Sequence, residues 1–248
     1  MSLFNEKLKN IHLKEVLSLI ILLFVIRYVL NELNIFKFDL FWVYVVLILY
    51  FIFRLRGSLP QKSDFAEVFE RNVFSQIIVI TILNVFLSYG FLYLSNYILD
   101  IVPPLYFSYS LAGAGLIATV VISPISEELI FRGVFLNRLK LAVPTLFAVL
   151  ISSLLFASLH SFGSITSAFI FGMCMAILYL KTDNIFVAIF THFLNNLIAE
   201  VIVIADSGRV MFTSEIVVFA VSVLAVISFV LILRFIFREL KVLNINNL

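Results

Sequence analysis

Eight long apolar runs, separated by short polar segments, follow one another along the chain. Most approach the length of about 20 residues that a helix needs to cross the hydrocarbon core of a bilayer. A membrane β-barrel would show short segments of alternating polarity instead, so the runs predict helices. The runs cover residues 15–33, 38–54, 73–99, 105–125, 144–161, 163–180, 184–204 and 214–236. This pattern predicts an all-α polytopic membrane protein, a bundle of about eight transmembrane helices in one domain over residues 1–248.

Positive charges are distributed unevenly between the two sets of loops that these runs define. With both termini placed in the cytoplasm, only Lys37 and Arg209 fall in outer loops. Arg27 lies within the first run near its outer end, where a long side chain can reach the interface. All other Lys and Arg residues fall on the cytoplasmic side, as the positive-inside rule expects. The charges therefore predict that both termini are cytoplasmic.

Composition excludes several other classes of protein. The chain is 63% hydrophobic, well above the roughly half that is usual for water-soluble domains. Cys174 is the single cysteine, which rules out an intrachain disulfide and a metal site built from cysteines. The formal net charge of +2 is too small to favour a nucleic-acid partner. A polar start precedes the first run without a small-residue cleavage pattern, so this run is predicted to be retained rather than removed as a signal peptide.

Two adjacent glutamates, Glu127 and Glu128, are the main candidates for chemistry, because ionisable side chains within membrane helices are costly and usually functional. Pro124 is expected to kink or restart the helix just before them. Glu128 and Arg132 are four residues apart, with the glutamate on the favourable N-terminal side for an ion pair. Glu127 points about 100° away around the helix and would stay free to take a proton from water. The alternative is a cytoplasmic turn with solvated charges.

Two histidines lie in later runs. Phe156 and His160 are one helical turn apart, so the phenyl ring could shield the imidazole from lipid. His192 and Asn196 are also one turn apart and would present an imidazole and a carboxamide to the same point in the bundle. The structural alternatives are an interfacial histidine for His160 and hydrogen bonding between helices for the second pair.

Helix heights allow Glu128 and His160 to meet, whereas His192 joins them only if the turn near residue 142 projects further into the cytoplasm than the turn near residue 182. Counted from the turn near residue 142, Glu128 and His160 lie within about 6 Å of the same height in antiparallel helices. A carboxylate base, an acid paired to arginine, two imidazoles and a carboxamide in a water-poor cavity would suit hydrolysis. His160 and His192 could hold a divalent ion such as zinc, or Glu127 could activate water without metal. The sequence contains neither a Gly-x-Ser-x-Gly elbow nor a His-Glu-x-x-His motif.

These motifs resemble those of the CAAX protease and bacteriocin-processing family, also called the ABI family, which includes the CAAX-prenyl endopeptidase. Its Glu-Glu-x-x-x-Arg motif corresponds to Glu127, Glu128 and Arg132. Its Phe-x-x-x-His motif corresponds to Phe156 and His160, and its His-x-x-x-Asn motif to His192 and Asn196. The motifs occur in the family's order, and the resemblance covers about residues 105–200.

The resemblance implies an intramembrane endopeptidase in which Glu127 activates water, Glu128 and Arg132 orient it, and His160, His192 and Asn196 complete the site. The Ile-, Asn-, Phe- and Lys-rich composition suits a bacterium, so we expect a bacterial plasma-membrane protein. The expected substrate is a peptide or small membrane-protein precursor such as a bacteriocin or pheromone. Two alternatives are a non-proteolytic membrane scaffold or bacteriocin-immunity protein and, further behind, a transporter.

Overall fold

The computed structural model of the protein describes residues 2–97, 113–160, 165–206 and 210–245. Helices account for nearly all of these residues, and no strand occurs among them. The all-α class predicted from the apolar runs is therefore confirmed. In chain order the segments are α1 (Leu3–Lys9), α2 (Leu13–Glu32), α3 (Leu40–Arg54), α4 (Lys62–Val68), α5 (Arg71–Tyr97), α6 (Gly113–Ile117), π1 (Ala118–Ile122), α7 (Ser123–Glu128), π2 (Leu129–Leu136), α8 (Asn137–Leu139), α9 (Thr145–Ala157), α10 (Ile165–Thr182), α11 (Ile185–Ala205), α12 (Val210–Thr213) and α13 (Glu215–Ile245).

Four of these helices, α5, α10, α11 and α13, are long and apolar enough to cross a bilayer, judged by length and composition. Helices α3 and α9 are apolar but shorter. The polytopic membrane class is confirmed, whereas the count of eight spans and the cytoplasmic placement of both termini stay predictions. The outer charge Arg209, the ends of the runs 73–99 and 144–161, and the starts of the runs 105–125 and 163–180 lie outside the described residues.

Helix α10 lies at the centre of the bundle. Every residue from 170 to 179 is buried, and the helix contacts α5, α9, α11, α13 and π2. A helix that is apolar on all sides is stable where other helices or lipid surround it, and here other helices cover most of it. Its central position lets α10 support the polar side chains that the neighbouring helices direct inward.

Helices α5 and α13 form the most extensive helix pair. Gly90 of α5 lies against Ala225 of α13 so closely that a Cβ at Gly90 would be 2.2 Å from the Cβ of Ala225. The two backbones can approach this far only because Gly90 has no side chain. Near one end of the pair, Ser75 and Gln76 lie beside Arg234 and Arg238, so the two helices run antiparallel.

Residues 113–139 form a continuous helical stretch in which α-helical and π-helical turns alternate. In π1 the Ser123 N–H donates to the carbonyl of Ala118, five residues back. Pro124 follows as the second residue of α7. Because proline has no N–H, the carbonyl of Thr119, five residues earlier, lacks the donor that would continue the π-helical pattern. The structure therefore has a π-to-α transition just before the glutamates, and the kink predicted at Pro124 stays a prediction. π-Helical turns are rare and often occur at functional sites.

Candidate active site

Glu127 and Glu128 lie at the end of α7, between the two π-helical segments. Their exposed fractions are 6% and 0%, and the residues from 129 to 134 that follow are also buried. This burial contradicts the alternative of a solvated cytoplasmic turn. A buried carboxylate is stable only when charges or hydrogen-bond donors compensate its loss of hydration, and the two glutamates obtain this compensation from different partners.

Glu128 forms the predicted ion pair with Arg132. Arg132 Nη1 donates to Glu128 Oε1 at 2.9 Å, and both side chains are completely buried. The guanidinium also donates from Nη2 to the carbonyl of Gly172 at 2.9 Å and lies 4.4 Å from the centre of the Phe156 ring. A Cβ at Gly172 would lie 3.2 Å from Arg132 Nη2, so the bare glycine lets α10 offer its carbonyl to the cation. The arginine is thus fixed on three sides.

His192 reaches the same glutamate from α11. Its Nδ1 lies 2.9 Å from Glu128 Oε1. A carboxylate can only accept, so Nδ1 carries the hydrogen and donates it. In the neutral imidazole, Nε2 then carries a lone pair, and it lies 4.0 Å from Glu127 Oε2. A carboxylate behind a histidine fixes the tautomer and orients the opposite nitrogen as a base or ligand.

Glu127 is not the free carboxylate that the sequence predicted. The Tyr44 hydroxyl donates to its Oε1 at 2.8 Å, and the Ser123 hydroxyl also donates to Oε1. The prediction was wrong on this point because a carboxylate that is almost fully buried requires donors. Both hydroxyls bind the same oxygen, and they leave Glu127 Oε2 facing His192 Nε2.

Phe156 connects the arginine to both imidazoles. The ring is 1% exposed, and its centre lies 4.8 Å from that of His160 and 5.5 Å from that of His192. Helix α9 ends at Ala157, so His160 lies in the turn beyond it and not on the helix itself. His160 Nδ1 lies 3.2 Å from the Phe156 carbonyl. The imidazole therefore stays beside Phe156 although the helix has ended.

Asn196 uses one of its amide N–H groups within the protein. Its Nδ2 donates to the carbonyl of Thr119 at 3.0 Å. Thr119 is five residues before Pro124, so this is the carbonyl that a π-helical N–H at Pro124 would have bonded. The Asn196 side chain supplies the donor that the proline lacks. Asn196 thereby attaches α11 to the helical turn that leads into the glutamates.

The structure thus brings Glu127, Glu128, Arg132 and His192 into direct contact, with Phe156 and His160 beside them. Further groups escaped the sequence analysis, among them Ser123, Tyr44 and Asn137. Tyr44 comes from α3, where a tyrosine in an apolar run cannot be distinguished from one at the lipid surface. Asn137 Nδ2 contacts the Arg132 and Gly133 carbonyls at the end of π2, each at 2.9 Å. An asparagine that follows a charged helical turn can bond to the carbonyls of that turn, and this pattern could have indicated the role of Asn137.

A metal ion was predicted on His160 and His192. Among the residues that the structure describes, no group of three or more His, Cys, Asp or Glu side chains is arranged to hold one. His192 Nε2 and Glu127 Oε2 face each other and could act as two metal ligands, and the Phe156 ring lies beside His160 and His192. Two ligands alone do not form the three-ligand set that is usual for a catalytic zinc. The chemistry of the site is therefore derived from its side chains.

Comparison with known proteins finds one family model that matches the segment with the candidate residues. The sequence model of the type II CAAX prenyl endopeptidase Rce1-like family matches residues 109–198. No curated protein and no solved structure matches the chain. The matched segment runs from before π1 to the middle of α11 and includes every candidate residue from Glu127 to Asn196. The match confirms the resemblance recognised from the three motifs, and this segment is similar to CAAX-type membrane endopeptidases.

Proposed function

We propose that this protein is an intramembrane endopeptidase that hydrolyses a peptide bond in a membrane-associated peptide or small membrane-protein precursor. The observation that carries the proposal is the pair of acceptors formed by Glu127 Oε2 and His192 Nε2, which are 4.0 Å apart in a buried site. The similarity of residues 109–198 to CAAX-type endopeptidases supports the reaction class. The predicted bacterial plasma membrane is the proposed location.

The spacing of the two acceptors fits one water molecule between them. Hydrogen bonds of about 2.8 Å from this water to each acceptor subtend an angle of about 90° at its oxygen. Both hydrogens then point at the protein, and the oxygen lone pairs point away from it toward a substrate carbonyl. Such an arrangement orients the nucleophile before reaction and reduces the entropy lost in reaching the transition state.

The proposed reaction is direct attack by water. The water oxygen bonds to the carbonyl carbon of the scissile peptide while Glu127 Oε2 takes the proton. When the tetrahedral intermediate collapses, the C–N bond breaks and Glu127 returns this proton to the leaving nitrogen. The products are a new carboxyl terminus and a new amine. His192, held by Glu128 and Arg132, keeps the second hydrogen bond to the water throughout.

The developing oxyanion requires donors. Asn196 uses one amide N–H on the Thr119 carbonyl, and an amide has a second. His160 lies on the other side of the site beside Phe156. We propose that the second Asn196 N–H polarises the substrate carbonyl, a contribution worth about 10²–10³-fold in comparable sites. His160 Nδ1 donates to the Phe156 carbonyl, so its Nε2 lines the site as an acceptor.

The proposed function can be tested by comparing peptide termini in membranes from cells that make the wild-type protein or the Glu127→Gln variant. We expect new termini that depend on Glu127, and cleavage of the corresponding synthetic precursors by the purified protein in detergent. Hydroxylamine in the assay should not yield a hydroxamate product, because direct attack by water forms no acyl-enzyme. Identical termini in both membranes would refute the protease and favour the scaffold.

A chelator arm of the same assay tests the predicted metal. Cleavage that persists after prolonged treatment with a strong chelator would refute the metal prediction and leave the water mechanism as derived. Loss of cleavage that is restored by adding a divalent ion would show that the ion takes part in the reaction.

Tyr44→Phe tests the support of the catalytic carboxylate. Without the hydroxyl, Glu127 Oε1 loses one of its two donors and the carboxylate is less firmly oriented toward His192. We expect kcat to fall about tenfold, as for loss of a hydrogen bond to a charged group, with little change in KM. Tyr50→Phe is the matched control, because Tyr50 is also on α3 and its hydroxyl donates to Glu15, outside the site. Equal kcat values for the two variants would contradict the role of Tyr44.

A further inference from the structure

A groove of about 380 Å³ lies between α5 and α13, on a face that contributes no residue to the candidate active site. Its walls are apolar over most of their length and include Val79 and Leu83 of α5 with Leu231 and Phe235 of α13. From Ser75 to Leu83 the groove follows α5 for about 12 Å. Both helices are candidate membrane spans, so the apolar part lies at bilayer depth.

One end of the groove is polar and positively charged. Arg234 and Arg238 line it, together with Ser75 and Gln76. Arg238 donates to Glu239 Oε1 from Nη2 at 2.6 Å, and Lys181 Nζ lies 3.0 Å from Glu239 Oε2. Glu239 therefore pairs with both Arg238 and Lys181, which leaves an excess of positive charge at this end of the groove. Glu70 lies just before α5 and Arg71 begins it. Their charges are opposite, so they leave the excess of positive charge at this end of the groove unchanged.

Arg234 is the uncompensated cation. Its side chain is exposed, and it has no hydrogen bond or ion pair with any residue in the described parts of the chain. It lies one helical turn from Arg238, on the side toward the apolar part of the groove. An arginine at this depth is stable when its guanidinium reaches an anion at the membrane interface.

We propose that this groove binds an anionic phospholipid, with the phosphate on Arg234 and Arg238 and the upper part of an acyl chain along Val79, Leu83 and Leu231. Charge complementarity favours this occupant over a second copy of the chain. A two-fold symmetric contact places the same patch against itself and would bring the arginines of both copies together. The predicted topology puts the charged end at the cytoplasmic leaflet, where anionic lipids attract Lys and Arg.

The proposal can be tested by native mass spectrometry of the full-length protein in mild detergent, titrated with phosphatidylglycerol or with phosphatidylcholine of the same acyl chains. We expect the wild-type protein to bind phosphatidylglycerol about tenfold more tightly or better. The double variant Arg234→Gln, Arg238→Gln should lose this preference. Val79→Trp should weaken binding of both lipids because the larger side chain fills the apolar part of the groove.

The matched control is Arg56→Gln with Lys62→Gln, which removes two exposed positive charges away from the groove and should keep the preference. Equal affinity of the wild-type protein for the two lipids would overturn the proposal, as would a preference that survives the Arg234 and Arg238 substitutions. Glycerol 3-phosphate should not compete at concentrations comparable to the lipid. Full competition would indicate a site for free phosphate, and a dimer disrupted by Val79→Trp would indicate a second copy; either result overturns the lipid assignment.

Discussion

Glu127→Gln should reduce the turnover of any cleaved precursor by at least about 100-fold, the usual contribution of a general base. The amide keeps an oxygen that can accept from Tyr44 and Ser123, so the packing of the site should be unchanged. It cannot, however, take a proton from water at neutral pH. We expect kcat to fall while the amount of protein in the membrane and its thermal midpoint stay as in the wild type. The measurement is steady-state cleavage by purified protein.

Glu200→Gln is the matched control for this loss. Glu200 lies on α11, the helix that carries His192, and the substitution is chemically identical but lies outside the site. Its turnover should equal that of the wild type. If Glu127→Gln retained more than about a tenth of wild-type turnover, Glu127 would not be the base, because loss of this role costs more. His192 Nε2 would then be the next candidate, since it contacts the same water position.

Arg132→Met and Glu128→Gln should each lower the free energy of unfolding by about 3–5 kcal/mol, because each leaves one charge without its partner in a fully buried site. The double variant removes both charges and should lose less stability than either single variant. Unfolding equilibria in mixed detergent with sodium dodecyl sulfate measure these differences. All three variants should be inactive. Glu128→Gln and the double variant remove the carboxylate that orients His192, and Arg132→Met removes the cation that holds this carboxylate in place.

The exposed pair of Arg54 and Glu15 provides the control for this double-mutant cycle. Its N–O distance of 3.0 Å is similar, but its side chains are 40% and 38% exposed. Arg54→Met should therefore cost no more than about 1 kcal/mol. Losses at Glu128 and Arg132 that simply add in the double variant would show that the two side chains act independently, against the structure. Stability recovered without activity separates folding from catalysis.

Much of the fold follows from hydrophobicity alone. Each predicted apolar run contains a helix, since helices satisfy the backbone within lipid, and the described residues that are not helical lie at the ends of the runs. The i, i+4 spacing of Glu128 and Arg132 was enough to predict their ion pair, because it depends only on local geometry. The burial of both glutamates could not be derived, since the charges that follow them also suit a cytoplasmic turn.

The parts that escaped prediction depend on contacts between distant segments. Tyr44 and Glu127 are separated by 83 residues, and nothing in the sequence near either indicates the hydrogen bond. The π-helical turns have no periodicity that distinguishes them from an α-helix over so few residues. The hydrogen bond from Asn196 to the Thr119 carbonyl forms only because α11 lies beside the helical stretch that leads to Pro124. Only the missing donor of the proline was visible in advance.

The shortness of α9 has a consequence for the lipid around it. Its 13 residues extend about 20 Å along the axis, whereas the hydrocarbon core of a bilayer is about 30 Å thick. Lipids adjust to such a mismatch by thinning locally, at a cost of fractions of a kcal/mol per Å. The headgroup layer and its water are then drawn inward toward the end of the helix, where His160 lies. The bilayer itself would thus deliver the water that the proposed hydrolysis consumes.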